Sequence, residues 1–361
     1  MSIALDAKLG QVSHSLPQAT AATALRQDEP EHPGGQDKND RRADHKAATP
    51  YGERVIDGWS KVSEALATEV VAAARAPWGR KNSTHILTLA DGRKAVWQQY
   101  ADRHSAAARG AAIRLFGRPG VHLPLEVPTL LAESLDEREP WAVLTHLSGE
   151  VGYVAAGDDL LDPVFPHVAA DMGNAIRAVQ ALRPTEFPLP DTWAEPASLG
   201  MTAETWLEPL EPFLTHSQRM DVRNLLAELP ALFEGRPVVV AHGDFGPQNV
   251  LIRDGRVTGL LDFEDARLAD PLLDVAWWAW LVRAHTPAAF ERSWHRFLVS
   301  AEVDPAERDF RRRTTTLIIC RLLETAEHFR VTQAEKFPSW ADRLATTLEW
   351  PPDALTTVKR A

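Results

Sequence analysis

The chain has 361 residues, of which 44% are hydrophobic, enough for the core of one large domain or of two lobes. Its formal net charge of −11 argues against a nucleic-acid partner, because no basic face is left to neutralise phosphates. A single cysteine, Cys320, excludes an internal disulfide framework and a cysteine-rich metal site. It lies in the apolar run 317–320, which is typical of a buried small hydrophobe.

The sequence shows neither a targeting segment nor a membrane-spanning one. The longest apolar run, 275–282, is far shorter than the ~18 residues of a membrane span. The first residues lack the basic and apolar regions of a signal peptide. These features predict a cytoplasmic protein with no membrane partner. Residues 1–50 include the polar run 26–46 and predict a disordered leader, with a charged interaction tail as the less favoured alternative.

Residues 51–147 predict a small lobe built mainly of antiparallel sheet. Apolar residues at helical spacing predict a first helix over 55–75. The turn Asp91-Gly92 predicts a hairpin between the next two strands. The predicted elements after the first helix are two strands, a helix and a third strand, at 85–90, 95–100, 103–116 and 141–147.

Residues 148–361 predict a larger and mostly helical lobe. Its predicted helices cover 166–182, 203–213, 219–233, 271–284, 287–299 and 307–329. A short sheet interrupts them, with strands predicted at 238–241, 250–253 and 257–261, the last two joined by a turn at Asp254-Gly255. The fold class is therefore α+β, with a small β lobe followed by a large helical lobe.

Three oxygen-bearing side chains fall around this short sheet. Asp244 follows its first strand, Asn249 begins the second, and Asp262 follows the third, so the hairpin brings them to one end of the sheet. A carboxylate just past a strand is expected on an exposed loop held by a rigid scaffold. Magnesium prefers oxygen ligands, with substrate phosphates completing its shell, and a further carboxylate suits a proton acceptor. The alternative is a chance group of polar turn residues.

The segment around these residues resembles a known superfamily. His242-Gly243-Asp244-x4-Asn249 resembles the catalytic loop H-R-D-x4-N of protein-kinase-like enzymes. The segments 261–266 and 269–276 look like the magnesium segment of its small-molecule branch and the Gly-Asp-Pro-x2-Asp-Leu-Ala continuation. Together the three motifs resemble the aminoglycoside phosphotransferase family, which includes choline-kinase-like enzymes. The resemblance implies a two-lobed protein-kinase-like fold.

The resemblance also implies ATP and Mg²⁺ as cofactors and a role for each matching residue. Asp244 would be the catalytic base, and Asn249 and Asp262 would hold magnesium on the ATP phosphates. Supporting roles fall to His242, Asp270 and Asp274, although helix capping is sufficient cause for Asp270. The nucleotide would be contacted by Lys81 and Ser83 of the expected phosphate loop, by Gln98, and by the lobe hinge from Thr145 to Leu147.

The sequence departs from the family pattern at the usual cation and its partner. By pattern, Gln98 stands where the family has Lys or Arg on the third strand, and Gly110 stands where a helix Glu would hold that cation. Glutamine brings no charge, so weaker ATP binding or slower transfer is expected unless another cation compensates. The candidates are Arg80, Lys81, Lys94 and Arg103. The basic loop 79–83 is equally well interpreted as a plain turn.

Two features nearby have competing interpretations. Glu264 fits a partner of the metal site and a solvated loop charge equally well. The tryptophan cluster over 277–280 is interpreted as helix core in preference to a substrate wall.

The leading hypothesis is an ATP-dependent O-phosphotransferase acting on a small hydroxylated molecule. An aminoglycoside-like antibiotic is the first candidate acceptor, because the family suggests it and an acidic chain suits a polycation. A metabolite kinase, a kinase of a biosynthetic peptide, and GTP in place of ATP remain open. The second hypothesis, motivated by Gln98 and Gly110, is a catalytically weakened kinase-like binding or regulatory module. A metal hydrolase is disfavoured, because no His-x3-His or Cys pair supplies further ligands.

Overall fold

The computed structural model describes residues 59–76, 83–100, 102–136, 138–152, 163–351 and 353–356. The predicted leader over 1–50 and the segment 77–82, which contains Arg80 and Lys81, lie outside the described residues.

The smaller lobe is an antiparallel sheet of five strands with the order β1-β2-β3-β5-β4, accompanied by two helices. Its elements are α1 (Ser60–Leu66), β1 (Val70–Arg75), β2 (Ser83–Leu89), β3 (Lys94–Gln99), α2 (Arg103–Phe116), β4 (Leu130–Ser134) and β5 (Trp141–Thr145). The three predicted strands and the second predicted helix are confirmed within a few residues. Strand β4 was not predicted, because its exposed and half-buried residues give only a weak alternation.

The prediction of one helix over 55–75 is wrong in its second half. Helix α1 ends at Leu66, and Ala67 adopts a left-handed conformation with φ of 51°. The N–H of Thr68 then donates to the carbonyl of Ser63, which closes the helix. The chain continues as β1, because the β-branched Val70 and Val71 favour a strand, and Val70 pairs with Leu89 of β2.

The larger lobe is mostly helical and follows the predicted order. Its helices are α3 (Phe165–Gln180), α4 (Pro196–Leu207), α5 (His216–Leu232), α6 (Leu272–His285), α7 (Pro287–Ser300), α8 (Phe310–Thr332) and α9 (Phe337–Leu348). Its strands are β6 (Glu150–Val151), β7 (Val239–Ala241), β8 (Val250–Arg253), β9 (Arg256–Leu260) and β10 (Arg267–Ala269). Helix α9 and the short strands β6 and β10 were not predicted. Among the described residues, no helix has the length and apolar character that crossing a membrane requires.

The core of the larger lobe is built around α6, which is buried along most of its length. Trp278 stacks on Phe297 of α7 with ring centroids 4.0 Å apart. Helix α3 lies so close to α7 that a Cβ added at Gly173 would be 2.5 Å from the Phe297 carbonyl oxygen. Cys320 of α8 is fully buried, as predicted, and burial raises the pKa of its thiol. This packing of the larger lobe fixes the positions of α6 and α8, both of which contribute residues to the site described below.

Candidate active site

The cleft between the lobes is lined by residues of the sheet, of α2 and of the turn after β9. Gln98 of β3, Thr145 of β5 and Leu147 all line it, as the sequence predicts for nucleotide-contacting residues. Ser83 begins β2 and pairs with Gln99, and the next residue, Thr84, lines the cleft. Lys81 lies outside the described residues. The contacts of these residues with a nucleotide remain predictions.

The ends of three strands bring the predicted catalytic residues together on the side of the larger lobe. Strand β7 pairs with β10, and β8 pairs with β9 so that Val250 lies opposite Leu260. The N–H of Leu261 donates to the carbonyl of Asn249 at 2.8 Å, which places the residue before Asp262 beside Asn249. The Nδ2 group of Asn249 in turn donates to Oδ2 of Asp244 at 3.0 Å. The sequence motif and the structure therefore agree on one constellation.

The loop that carries Asp244 is fixed by Asp274 in the first turn of α6. Its two carboxylate oxygens accept the backbone N–H groups of His242 and Gly243, each at 2.8 Å. His242 also donates from Nε2 to the carbonyl of Leu261 at 2.8 Å, so it joins the catalytic loop to the turn that carries Asp262. These contacts fit the supporting roles predicted for His242 and Asp274.

Asp270 has a local role at the same end of α6. Its Oδ1 accepts the N–H of Leu272, the first residue of the helix, at 2.8 Å. Arg236 donates to its Oδ2 at 3.4 Å. Asp270 therefore has a structural role, as the sequence suggests, because it satisfies the first backbone N–H of α6 from the residue before the N-cap Pro271.

The prediction that Asp244 lies on an exposed loop surface is wrong. Its side chain lies between α6 and α8, and the residue is only 3% exposed. Trp277 Nε1 donates to Oδ1 at 2.8 Å, and Arg321 lies 3.9 Å from the same oxygen. Burial raises the pKa of the Asp244 carboxyl, and the Arg321 charge opposes that rise. A raised pKa gives a stronger proton acceptor, which suits a general base working near neutral pH.

Trp277 was not identified from the sequence as a site residue, although its indole contacts the proposed base directly. We expect Trp277→Phe to lower kcat by roughly 10- to 100-fold, because a hydrogen bond to a charged group is worth about 1.5–3 kcal/mol. Nucleotide affinity should change little, because Trp277 is not among the residues that line the cleft. Steady-state kinetics and nucleotide titration of the purified variant measure both quantities.

The matched control is Trp280→Phe on the same helix, whose indole N–H donates to Thr347 at 3.0 Å. Trp277 and Trp280 are both buried and stack on each other at 4.8 Å, so their losses of packing are similar. Equal loss of kcat in the two variants would mean that packing, and not the bond to Asp244, explains the effect.

The oxygen ligands present fit a magnesium ion. Asn249 is fully buried, and among the described residues its Oδ1 has no hydrogen-bond partner. A buried acceptor without a donor is costly, and a cation would satisfy it. Asp262 supplies a carboxylate to the cleft from a left-handed conformation with φ of 63°. Two protein ligands with phosphate oxygens and water match the shell that magnesium prefers.

The turn after Asp262 is fastened to α2 by an aromatic contact. The ring of Phe263 stacks on Phe116 with centroids 4.1 Å apart, and it also lies 4.8 Å from the ring of His242. The Asp-Phe pair of the motif thus joins the helix of the smaller lobe to the catalytic loop of the larger one.

The two residues at which the sequence departs from the family pattern have different positions relative to the cleft. Gln98 lines the cleft as predicted. Gly110 does not face the cleft, because a Cβ there would point at Leu135 and Glu133. The charged residue that α2 places in the cleft is instead Arg109, which forms an ion pair with Glu264. Glu264 is therefore a paired residue of the cleft and not a solvated loop charge.

A network of alternating charges lies beside Asp244. Arg321 of α8 donates to Asp265 at 2.8 Å and pairs with Glu324, which also accepts two hydrogen bonds from Arg267. These residues were not predicted to belong to the site. The sequence did contain a signal for them. Arg321 and Glu324 lie three residues apart within an apolar helical run, and charged residues are almost never fully buried unless they are paired, so the pattern indicates buried ion pairs.

The two lobes, the cleft and the catalytic constellation together define a protein-kinase-like phosphotransferase. Solved structures with the same fold include macrolide 2'-phosphotransferase MphH from Brachybacterium faecium, at 16% identity and a TM-score of 0.60, covering 82% of this chain and 99% of that one. The GDP and kanamycin complex of APH(2")-IIia has 14% identity and a TM-score of 0.62, covering 78% and 94%. APH(4)-Ia with ADP and hygromycin B has 17% identity and a TM-score of 0.61, covering 80% and 96%.

The sequence comparison is more specific. The model of the phosphotransferase enzyme family matches residues 73–312, about two thirds of the chain. The chain belongs to this family, and it is a small-molecule kinase. A comparison with curated proteins gives no match.

Proposed function

We propose that this chain transfers the γ-phosphoryl group of ATP to a hydroxyl group of a small molecule in the presence of Mg²⁺. The observation that carries the proposal is the convergence of Asp244, Asn249 and Asp262, with a buried and unsatisfied Asn249 oxygen among the described residues. Structures of the same fold bind ADP with hygromycin B and GDP with kanamycin, which supports a nucleotide and a hydroxylated acceptor in one cleft.

The reaction follows from the position of the base. The acceptor hydroxyl gives its proton to the Asp244 carboxylate while its oxygen attacks the γ-phosphorus. The bond from that phosphorus to the β–γ bridging oxygen breaks, and ADP leaves. Trp277 and Asn249 each donate a hydrogen bond to one oxygen of Asp244, so the carboxylate is oriented before the acceptor arrives. Asn249 and Asp262 would hold Mg²⁺, which would supply positive charge to the phosphate oxygens.

The charges beside the base favour a cationic acceptor. Three carboxylates, from Asp244, Asp265 and Glu324, share two guanidinium groups, those of Arg267 and Arg321. The surplus of one negative charge attracts an amine-bearing substrate. We therefore propose an aminoglycoside-like antibiotic as the first acceptor class, and a metabolite or a biosynthetic peptide as the alternatives to screen next.

The first experiment is a calorimetric titration of the protein with a non-hydrolysable ATP analogue, with and without Mg²⁺. Binding that depends on Mg²⁺ supports the proposal, and a GTP analogue in parallel identifies the preferred purine. ADP release is then followed with aminoglycosides, with macrolides and with hydroxylated metabolites. Nucleotide binding with no turnover for any acceptor would favour the weakened kinase-like module, to which the neutral Gln98 in the cleft points.

The proposed metal role of Asp262 predicts a specific change in binding. In Asp262→Asn, the Mg²⁺-dependent gain in affinity for the ATP analogue should fall by roughly 10-fold or more, because a charged ligand becomes a neutral one. Asparagine tolerates the left-handed backbone, so the fold should persist. Titration of analogue binding with Mg²⁺ measures the effect.

Asp254→Asn is the matched control for this prediction. Asp254 has a similar left-handed φ of 54° in the exposed turn between β8 and β9, away from the cleft. If both variants titrated with Mg²⁺ like the wild type, Asp262 would not be a metal ligand.

A further inference from the structure

We propose that Arg109 of α2 is the cation that binds the nucleotide phosphates, in the role that the family pattern assigns to strand β3. The inference rests on the proposed use of ATP. Gln98 on β3 lines the cleft but brings no charge to it, so another side chain must supply the cation for the phosphates. Of the lysine and arginine side chains in the described part of the chain, Arg109 alone is among the cleft-lining residues.

The orientation of α2 explains why position 109 faces the cleft. Arg109, Ile113 and Phe116 follow one another at intervals of four and three residues, so they lie on one helix face, and all three line the cleft. Gly110 lies on the neighbouring face, where a Cβ would be 3.2 Å from a methyl carbon of Leu135, 3.3 Å from a guanidinium nitrogen of Arg114 and 3.4 Å from a carboxylate oxygen of Glu133. A side chain at 110 would therefore enter the packing of α2 against Leu135 and the Arg114–Glu133 ion pair, and it would not reach the cleft.

The guanidinium of Arg109 is held close to the proposed metal ligand. Its partner Glu264 follows Asp262 by two residues, and the side chains of Arg109 and Glu264 are only 15% and 16% exposed. The Tyr100 ring lies 5.6 Å from the guanidinium carbon and packs beside it. A cation in this position faces the phosphate oxygens that Asp262 and Asn249 would bring to the metal.

Arginine chemistry permits both partners at once. A guanidinium presents five N–H donors in a planar fork, so one side chain can bind a carboxylate and a phosphate together. The ion pair with Glu264 also keeps the charge within the cleft before a nucleotide arrives. The family pattern has the cation on the third strand and its carboxylate on the helix. Here the cation, Arg109, is on the helix, and its carboxylate, Glu264, is on the turn after the proposed metal ligand Asp262.

The test compares the binding of two probes, a Mg²⁺-bound non-hydrolysable ATP analogue and adenosine, by calorimetry. Arg109→Met should weaken analogue binding by roughly 10- to 100-fold, the size of one hydrogen bond to a charged group. Adenosine, which has no phosphate, should bind within about two-fold of the wild type, since the adenine-facing residues are unchanged. A purely structural role for Arg109 would weaken both probes alike.

Arg114→Met is the matched control on the same helix. Arg114 pairs with Glu133 outside the cleft and is 46% exposed, so its loss should change neither affinity. The double variant Arg109→Met/Glu264→Met removes both charges together and leaves neither one buried without its partner. It keeps the test decisive if the single variant folds poorly, and it should show the same selective loss of analogue affinity.

The results separate this inference from the proposed function. Wild-type protein that binds no ATP or GTP analogue would overturn the proposed function and this inference with it. Wild-type protein that binds the analogue, with variants at Arg109 that bind it equally tightly, would overturn this inference alone. Equal weakening of adenosine and of the analogue would also overturn it. Partial recovery of analogue affinity when Gln98→Lys is added to Arg109→Met would support it, because a charge returns to the cleft from β3.

Discussion

Asp244→Asn is expected to lower the rate of phosphoryl transfer by about 10²–10⁴-fold, the usual contribution of a general base. The amide keeps the size of the carboxylate but cannot accept the proton of the acceptor hydroxyl. Asparagine is the sharper substitution here, because its one amide oxygen still accepts from Trp277 or Asn249, whereas alanine would leave both buried donors without this acceptor. Initial rates of ADP release at saturating nucleotide and acceptor measure the effect.

The fold should survive this substitution. Burial of a neutral amide costs less than burial of a carboxylate, so the thermal midpoint should stay within a few degrees of the wild type. Asp265→Asn serves as the control, because it removes a carboxylate from the same charge network while Asp244 is retained. Near-normal transfer by Asp244→Asn would rule out the proposed base.

Asp274→Ala should have the largest effect on stability. The carboxylate accepts two buried backbone N–H groups, from His242 and Gly243, and each unsatisfied donor costs about 1–3 kcal/mol. A loss of roughly 2–6 kcal/mol in the free energy of unfolding follows. Transfer should fall as well, because the catalytic loop loses the contact that fixes it. Denaturant unfolding followed by fluorescence or circular dichroism gives the free energy.

The control for Asp274 is Asp304→Ala. Asp304 also accepts a backbone N–H, that of Ala306 at 2.9 Å, but in an exposed position where water can replace the carboxylate. Its loss should cost about 1 kcal/mol or less. Equal destabilisation of the two variants would show that burial of the His242 and Gly243 donors is not the cause.

The catalytic constellation was predictable because its residues are close in the chain. Asp244, Asn249 and Asp262 are separated by one short hairpin, so turn chemistry and strand ends fix their meeting point. Most strands and helices followed from local periodicity for the same reason. The prediction of one helix over 55–75 was wrong, because apolar residues keep a helical spacing beyond Leu66. The chain after Thr68 nevertheless forms a strand, which pairs with β2.

The rest of the site depends on contacts between distant segments. Asp244 is buried because α6 and α8 cover it, and Arg321 reaches it from 77 positions further along the chain. Arg109 was overlooked because the phase of α2 relative to the cleft is set by packing on β4, which the sequence did not predict. The sequence pattern placed the cleft-facing position of α2 at Gly110, one residue after Arg109, which lines the cleft in the structure.

The close approach at Gly243 has a consequence for how this protein can diversify. A Cβ at this position would lie 1.9 Å from the backbone oxygen of Asp265, and the residue has φ of 82°. Two stretches of main chain therefore touch directly, so the spacing between the loop that carries Asp244 and the turn that carries Asp262 is set by peptide geometry. Any residue other than glycine at position 243 would clash with the main chain of Asp265. We therefore expect variants with altered acceptor preference to carry substitutions at side chains away from this junction, and not at position 243.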